Sequence, residues 1–317
     1  MSTIVSSSRR RIKALSRQFT YDTVRYKTTW ENVIPPLSER ASVRFSVQEW
    51  EMRCKLATAY RVAHLMGWDQ VIFNHITARV PGSEKEADGP HFLINPLGLR
   101  FDEVTACSLL KVTVDAEIKD GGLNAGGLFR QGFVIHAAIH AVRHDAVCVW
   151  HSHHEETTAV CMTKHGLLPL SQEAIGMLPH IAYHPFEGTA NDMGEQPRLQ
   201  KNIGKYKKIL MLQNHGPLTL GKTIDEAFYL MYNVCRSASY QQKAMSAVGG
   251  NLDDLNIPTD KELKPMLERG RGGNLSHESD YKDGKGVKAS PELFFRAMCR
   301  AVEDKYGSNN IYDIENA

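Results

Sequence analysis

Two short apolar runs that each lead into histidine constrain this chain more than any other feature. Ala146-Val147-Cys148-Val149-Trp150 runs into His151-Ser152-His153, and Ile209-Leu210-Met211-Leu212 leads to Asn214-His215-Gly216. Uninterrupted apolar runs of this kind read as buried strands. Residues two apart on a strand share a face, so the rings of His151 and His153 can reach one point. A third ring, His215, arrives from a second strand end at a glycine turn. Three neutral imidazoles that converge in this way hold a divalent cation and leave one coordination position open. A catalytic zinc needs that arrangement.

At 317 residues the chain can bury a large core, in one domain or two. Its residues are 42% hydrophobic and 23% charged, with a net charge of +2. That is a globular, soluble profile with no general attraction to nucleic acid. No run of about 18 apolar residues occurs, so no membrane span is expected. The six cysteines form no Cys-x-x-Cys pair and read as buried free thiols of a reducing compartment. The opening is different in kind. Arg9, Arg10, Arg11, Lys13 and Arg17 gather among serines before the first acid, Asp22. This composition reads either as a mitochondrial transit peptide or as a basic tail on a cytoplasmic protein.

Four segments are expected: a basic extension over 1–45, a folded domain over 46–250, a polar linker over 251–289 and a C-terminal helix over 290–317. Ser46-Val47-Gln48-Glu49 is a capping box that opens a helix stopping near Gly67. Strands are expected within Val71–Val80, Phe92–Asn95, Val112–Val114 and the two apolar runs above. A short helix is expected from Thr105. Helical spacing covers Phe133–Val142, and Glu155–His165 reads as a helix stopped by Gly166. A second capping box, Thr223-Ile224-Asp225-Glu226, opens a helix with one apolar face that runs toward Gly249. The Lys205–Lys208 cluster reads as a solvated turn. Asn251–Lys288 is charged and poor in apolar residues, so it reads as largely disordered. Ser290-Pro291 starts the last helix. The loose alternation of helix and strand makes the class α/β.

Seven ordered segments resemble the class II aldolase/adducin family. They are Asn74-His75-Ile76-Thr77-Ala78-Arg79, Ile94-Asn95-Pro96-Leu97-Gly98, Phe133–His140, His151-Ser152-His153, Gly166–Ser171, Gln213-Asn214-His215-Gly216 and Glu226-Ala227-Phe228. The Phe133–His140 helix and the Gly166–Ser171 segment look closest to the adducin-like branch. The resemblance implies an αβα sandwich with a central, mostly antiparallel sheet, assembled as a homotetramer. It also implies zinc (Zn2+) on His151, His153 and His215. In the family's enzymes that zinc polarises substrate oxygens and stabilises an enediolate during aldol cleavage, and related members decarboxylate or epimerise.

A departure matters as much as the match. The aldolases carry a glutamate four residues before the helix histidine that matches His136. Here that position is Gly132, and no carboxylate stands between Asp120 and Asp145. The serines that bind phosphate in the family give way to Arg130 and Gln131. Candidate substrate-binding residues are therefore Asn74, Gly98 and Arg130, whose guanidinium can pair with carboxylate or phosphate. Candidate catalytic residues are Glu155 as a substitute base and Tyr183 as a proton donor. Their plainer readings are a helix-opening acid and a core-packing aromatic. His154 reads as a surface residue or a partner of the ligands. His136, His140 and His144 read as polar residues on one helix side, or as partners of the metal ligands.

Three functions follow. One is a zinc-dependent, lyase-like enzyme for a small hydroxy-carbonyl or carboxylated substrate. The second is a catalytically inactive adducin-like head for oligomerisation or contact with the actin cytoskeleton. The third is a subunit that keeps zinc for stability alone.

Overall fold

Eight short strands form one sheet in the computed structural model, which describes residues 30, 33–123, 126–188, 193–270 and 290–313. The strands are β1 (Ile76–Arg79), β2 (His91–Ile94), β3 (Leu110–Thr113), β4 (Ile118–Asp120), β5 (Cys148–His151), β6 (Ile181–His184), β7 (Ile209–Leu212) and β8 (Gly216–Gly221). Their order is β4-β3-β2-β1-β5-β8-β7-β6. Neighbours run antiparallel except β6 and β7, which are parallel. The helices are α1 (Glu39–Ser42), α2 (Val47–Leu65), α3 (Arg130–Val142), α4 (Glu155–Cys161), α5 (Gln172–Met177), α6 (Gln196–Ile203), α7 (Ile224–Ala247), α8 (Asp260–Arg269), α9 (Pro291–Tyr306) and α10 (Ser308–Tyr312).

Alternation along the strands builds two apolar layers. On one face Ile76, Ala78, Cys148, Trp150, Ile209 and Met211 join a core made with α2, α7 and α9. On the other, Val149, Leu210, Leu212, Leu218 and Leu220 meet Ile135 and Ile139 of α3 and Leu199 and Ile203 of α6. The result is an αβα sandwich, and α3 is the helix that overlies the ends of β1 and β5.

Both predicted caps form through their hydroxyls. Ser46 Oγ accepts from the Glu49 N–H and Thr223 Oγ1 from the Glu226 N–H, each at 3.1 Å. The glutamates turn elsewhere. Glu49 receives the fully buried Arg53 and Lys111, and Glu226 pairs with Lys208. Lys208 is therefore a buried ion-pair member and not part of a solvated turn. All six cysteines are buried and unpaired.

Several expectations need correction. Thr105 opens no helix: its N–H donates to Ser108 Oγ at 2.9 Å and the Ser108 N–H returns the bond at 3.2 Å. That closes one turn, and the chain enters β3 at Leu110. The first strand is shorter than Val71–Val80, because Val71 (φ 55°) and Asn74 (φ 74°) adopt left-handed conformations that break a ladder. Helix α4 ends at Cys161, where the Met162 N–H tightens onto the Ala159 carbonyl, and Gly166 lies beyond it. His144 lies past the end of α3 and is exposed.

The boundaries also shift. Trp30, assigned to the extension, is buried; its Nε1–H donates to Asp225 Oδ1 at 2.8 Å, and the Arg296 guanidinium sits over its ring. Residues 251–270, read as linker, carry α8, which starts on a complete Thr259/Glu262 capping box and buries Leu263. Helix α9 is no detached appendage: Phe295, Cys299 and Val302 lie fully within the core. Residues 1–29 and 271–289 lie outside the described residues, and with them the basic opening and the rest of the linker.

Candidate metal centre

His151 is the last residue of β5, a central strand paired with β1 and β8. It points to the α3 side, as Val149 does. His153 lies beyond the strand, so its ring joins through the loop and not through the pleat. His215 sits in the β7–β8 turn, where Asn214 takes a φ of 58°. Asparagine accepts this left-handed backbone more readily than most residues. Gly216 completes the turn, because a Cβ there would lie 2.5 Å from the Ser152 carbonyl oxygen. The Asn-His-Gly sequence is thus what lets β8 pass close beside the other two ligands.

The three Nε2 atoms face one another. His151 Nε2 lies 3.0 Å from His153 Nε2 and 3.3 Å from His215 Nε2. The other ring nitrogens explain why. His151 Nδ1 donates to the Pro217 carbonyl at 2.9 Å, and His153 Nδ1 to Gln70 Oε1 at 2.6 Å. An acceptor on Nδ1 fixes the proton there and leaves the lone pair on Nε2. Burial first, and the neighbouring rings second, hold His151 well below the usual histidine range and His153 down to about 4. Burial lowers His215 too. The rings are therefore neutral at pH 7, with lone pairs that repel unless a cation lies between them. Zinc–nitrogen bonds of about 2.05 Å in a tetrahedron would space the donors about 3.3 Å apart. The donor set fits an ion of that size.

The rings open into a cavity of about 340 Å³ that Phe73, Asn74, His75, Gly132, Ile135 and Phe186 also line. Asn74 is 3% exposed, and neither atom of its amide has a partner. The other proposed residues lie elsewhere. Gly98 occupies the turn after β2 with a φ of 98°. Arg130 is exposed at the start of α3 and lines a separate cavity with Asp115 and Gln196. A helix turns about 100° per residue, so Arg130 and Gly132 face different ways. Glu155 is exposed in the first turn of α4, outside the histidine-lined cavity, where the helix-opening reading fits it. The Tyr183 hydroxyl accepts the Leu167 N–H at 2.9 Å and packs on Gly166, also outside the cavity.

His136 and His140 are completely buried, each 2.8 Å from Thr77 Oγ1 on β1. His154 pairs with Thr157 and Glu156. Gln70, the partner of His153, touches the site with no motif or spacing to mark it. His75, which belongs to the Asn74–Arg79 segment of the resemblance, also lines the cavity. Among the described residues, no Asp, Glu, Lys or Arg side chain lines the histidine-lined cavity. Two other clusters could hold an ion, Glu86/Asp88/His91 and His184/Glu187/Glu195. Lys119 already pairs with Asp88, and Arg198 with Glu187.

Comparison with known proteins places this arrangement. A family model described as Class II Aldolase and Adducin N-terminal domain matches residues 54–242. Alpha-adducin of Rattus norvegicus is 44% identical over 268 residues, which is 83% of this chain and 34% of that protein. The chain thus spans about a third of the length of that relative. An adducin-related protein of Schizosaccharomyces pombe is 40% identical over 235 residues, 73% of this chain and 71% of the relative. An aldolase II superfamily protein from Pseudomonas syringae has a similar structure, with a TM-score of 0.73 and 36% identity over 85% of this chain and 98% of that one. An L-fuculose 1-phosphate aldolase from Glaciozyma antarctica shares the fold, with a TM-score of 0.64 and 23% identity over 88% of this chain and 96% of that one.

Proposed function

Because the chain belongs to the class II aldolase and adducin family, we propose that it holds zinc on His151, His153 and His215 and works as a lyase-like enzyme. The substrate is a small hydroxy-carbonyl or carboxylated compound, and the reaction is aldol cleavage, decarboxylation or epimerisation. The observation that carries this reading is the convergence of three Nε2 atoms at the floor of an open cavity. A bound divalent ion supplies a Lewis acid there.

The chain's own groups bind and orient the substrate. Asn74 offers an unpaired amide. Phe129, the residue before α3, offers no side-chain cap, so the first-turn N–H groups of the helix can meet a partial negative charge. Phe73 and Phe186 stand at the cavity and limit water. With no ionic side chain in the lining among the described residues, the pocket suits a neutral substrate, or one whose carboxylate reaches the ion itself.

The same carboxylate-free lining favours a second reading: a non-catalytic adducin-like head that keeps the ion for folding, self-association or contact with the actin cytoskeleton. A homotetramer is proposed under either reading. The basic opening fits a mitochondrial address or a cytoplasmic one equally, and sequencing the mature amino terminus decides between them.

Elemental analysis of purified protein tests the ion common to both readings, and stripping it decides between them. About one zinc per chain is expected for the wild type, and none for His153→Ala. If the zinc-stripped chain stays folded but loses turnover on a panel of hydroxy acids and ketoses, the enzyme stands. If stripping unfolds it and no substrate turns over, the scaffold stands. Absence of near-stoichiometric zinc would set both aside.

A further inference from the structure

Position 132 has no room for a side chain in this fold. A Cβ built there would lie 2.3 Å from Nε2 and Cδ2 of His75, and 3.0 Å from the Phe129 ring. The imidazole of His75 fills the space at the start of α3, beside the metal ligands. Its route there is local. Side chains of neighbouring residues in an extended strand point to opposite faces. Asn74 has a φ of 74°, which breaks the alternation, so Asn74 and His75 both line the cavity.

The ring is oriented from behind. His75 Nδ1 lies 3.0 Å from Asn95 Oδ1, and the fully buried Tyr60 hydroxyl sits 2.8 Å from the same oxygen. An acceptor at Nδ1 keeps the proton there and leaves the lone pair on Nε2. That Nε2 is buried without a partner, as are both atoms of the adjoining Asn74 amide. His75 is 2% exposed and Asn74 3%. Folded proteins rarely leave such groups unpaired. Two side by side at the wall of a cavity call for a polar ligand.

We infer that His75 is a ligand-positioning residue of this site: its Nε2 accepts a hydrogen bond from a hydroxyl or N–H of the ligand, and Gly132 is the residue that makes room for the ring. An imidazole at residue 75 thus stands where the family pattern has a carboxylate at position 132. The ligand part rests on the metal-site reading above; the packing of ring 75 against position 132 does not.

The test uses the whole chain with His75→Ala, His75→Gln, Gly132→Glu and the His75→Ala/Gly132→Glu pair. Each is melted in EDTA, then loaded with zinc and titrated calorimetrically with acetohydroxamate, a small chelator that carries an N–H. Gly132→Glu alone is expected to melt well below wild type, and adding His75→Ala to recover most of that loss. His75→Ala is expected to keep its zinc and bind acetohydroxamate about tenfold more weakly, the worth of one hydrogen bond. His75→Gln, with an amide oxygen to accept, is expected to regain part of that affinity. Additive melting losses at 75 and 132 would overturn the packing claim. Undiminished acetohydroxamate affinity in zinc-loaded His75→Ala would overturn the ligand role. A wild-type chain that takes up no zinc removes the ligand role with the metal reading, and the melting comparison still decides the packing.

Discussion

His153 reaches the other two ligands from a loop, so something outside the strand must aim its ring. Gln70 does this: its Oε1 accepts from His153 Nδ1 at 2.6 Å across 83 positions of sequence. Partners of this kind fix the tautomer and orientation of a ligand, and removing one typically costs about 10–100-fold in metal affinity. Gln70→Ala is expected to weaken zinc binding within that range and leave the melting of the zinc-free protein unchanged. Competition against a chelator of known affinity measures it; equal affinity would mean that packing alone holds the ring. The contrast with the ligands themselves is instructive. His151 and His215 end or follow apolar runs, so their placement follows from local pattern. Gln70 meets its partner through the fold, and no spacing rule connects residues so far apart. Glu155 misled for the opposite reason. It lies close to the ligands in sequence, but the chain leaves the sheet after His153 and α4 carries that carboxylate out to solvent.

At the scale of elements, the contact of β1 with α3 combines what the pattern shows and what it hides. The apolar spacing of Phe133, Ile135 and Ile139 marks α3 as a helix, and those side chains do face the two smaller cores. His136 and His140 look like solvated positions by residue type alone, yet both are fully buried because Thr77 on β1 stands between them. Burial drives His136 well below the usual range and His140 to about 3; His75 falls to about 4. The unfolded chain protonates these rings near pH 6.5 and the folded chain does not, so between 6.5 and the folded values the unfolded state binds more protons. Stability is then complete above that upper limit and declines as the pH falls. Each such ring would cost roughly 2 kcal/mol at pH 5 relative to neutral pH. Urea midpoints in EDTA are expected to fall steadily from pH 7.5 to pH 5. His140→Gln is expected to flatten that dependence by close to one proton between pH 5 and 6. A slope identical to wild type would show that the fold does not hold this ring neutral.

Five of the eight strands were readable because each has an apolar run of its own, but β4 (Ile118–Asp120), β6 (Ile181–His184) and β8 (Gly216–Gly221) carried no such signal. How the chain's outer segments close the larger core was not readable either. Residues 251–270 are charged, and the face of α9 could have served any partner; composition does not say which surface an amphipathic helix will cover. The fold answers with the same domain. Phe295 packs 4.8 Å from Phe228 between ring centroids and 6.0 Å from Trp30. In α10, Ile311 and Tyr312 are buried, and the Ile311 carbonyl accepts from the Ala106 N–H. A fragment spanning 46–250 would lose Trp30, Phe295, Val302, Ile311 and Tyr312 together. Fully burying a large apolar side chain is worth about 1.5–3 kcal/mol, so their sum rivals the roughly 5–15 kcal/mol by which a domain is stable. The fragment is therefore expected to show no cooperative melt, while 30–317 melts as one unit. Phe295→Ala in the full chain isolates one part of the effect, with an expected loss of about 3–5 kcal/mol in urea unfolding. A fragment that melts within a few degrees of the longer chain would make α9 and α10 a covering and not a part of the core; the complete burial of Phe295 and Tyr312 argues that they are structural members of it.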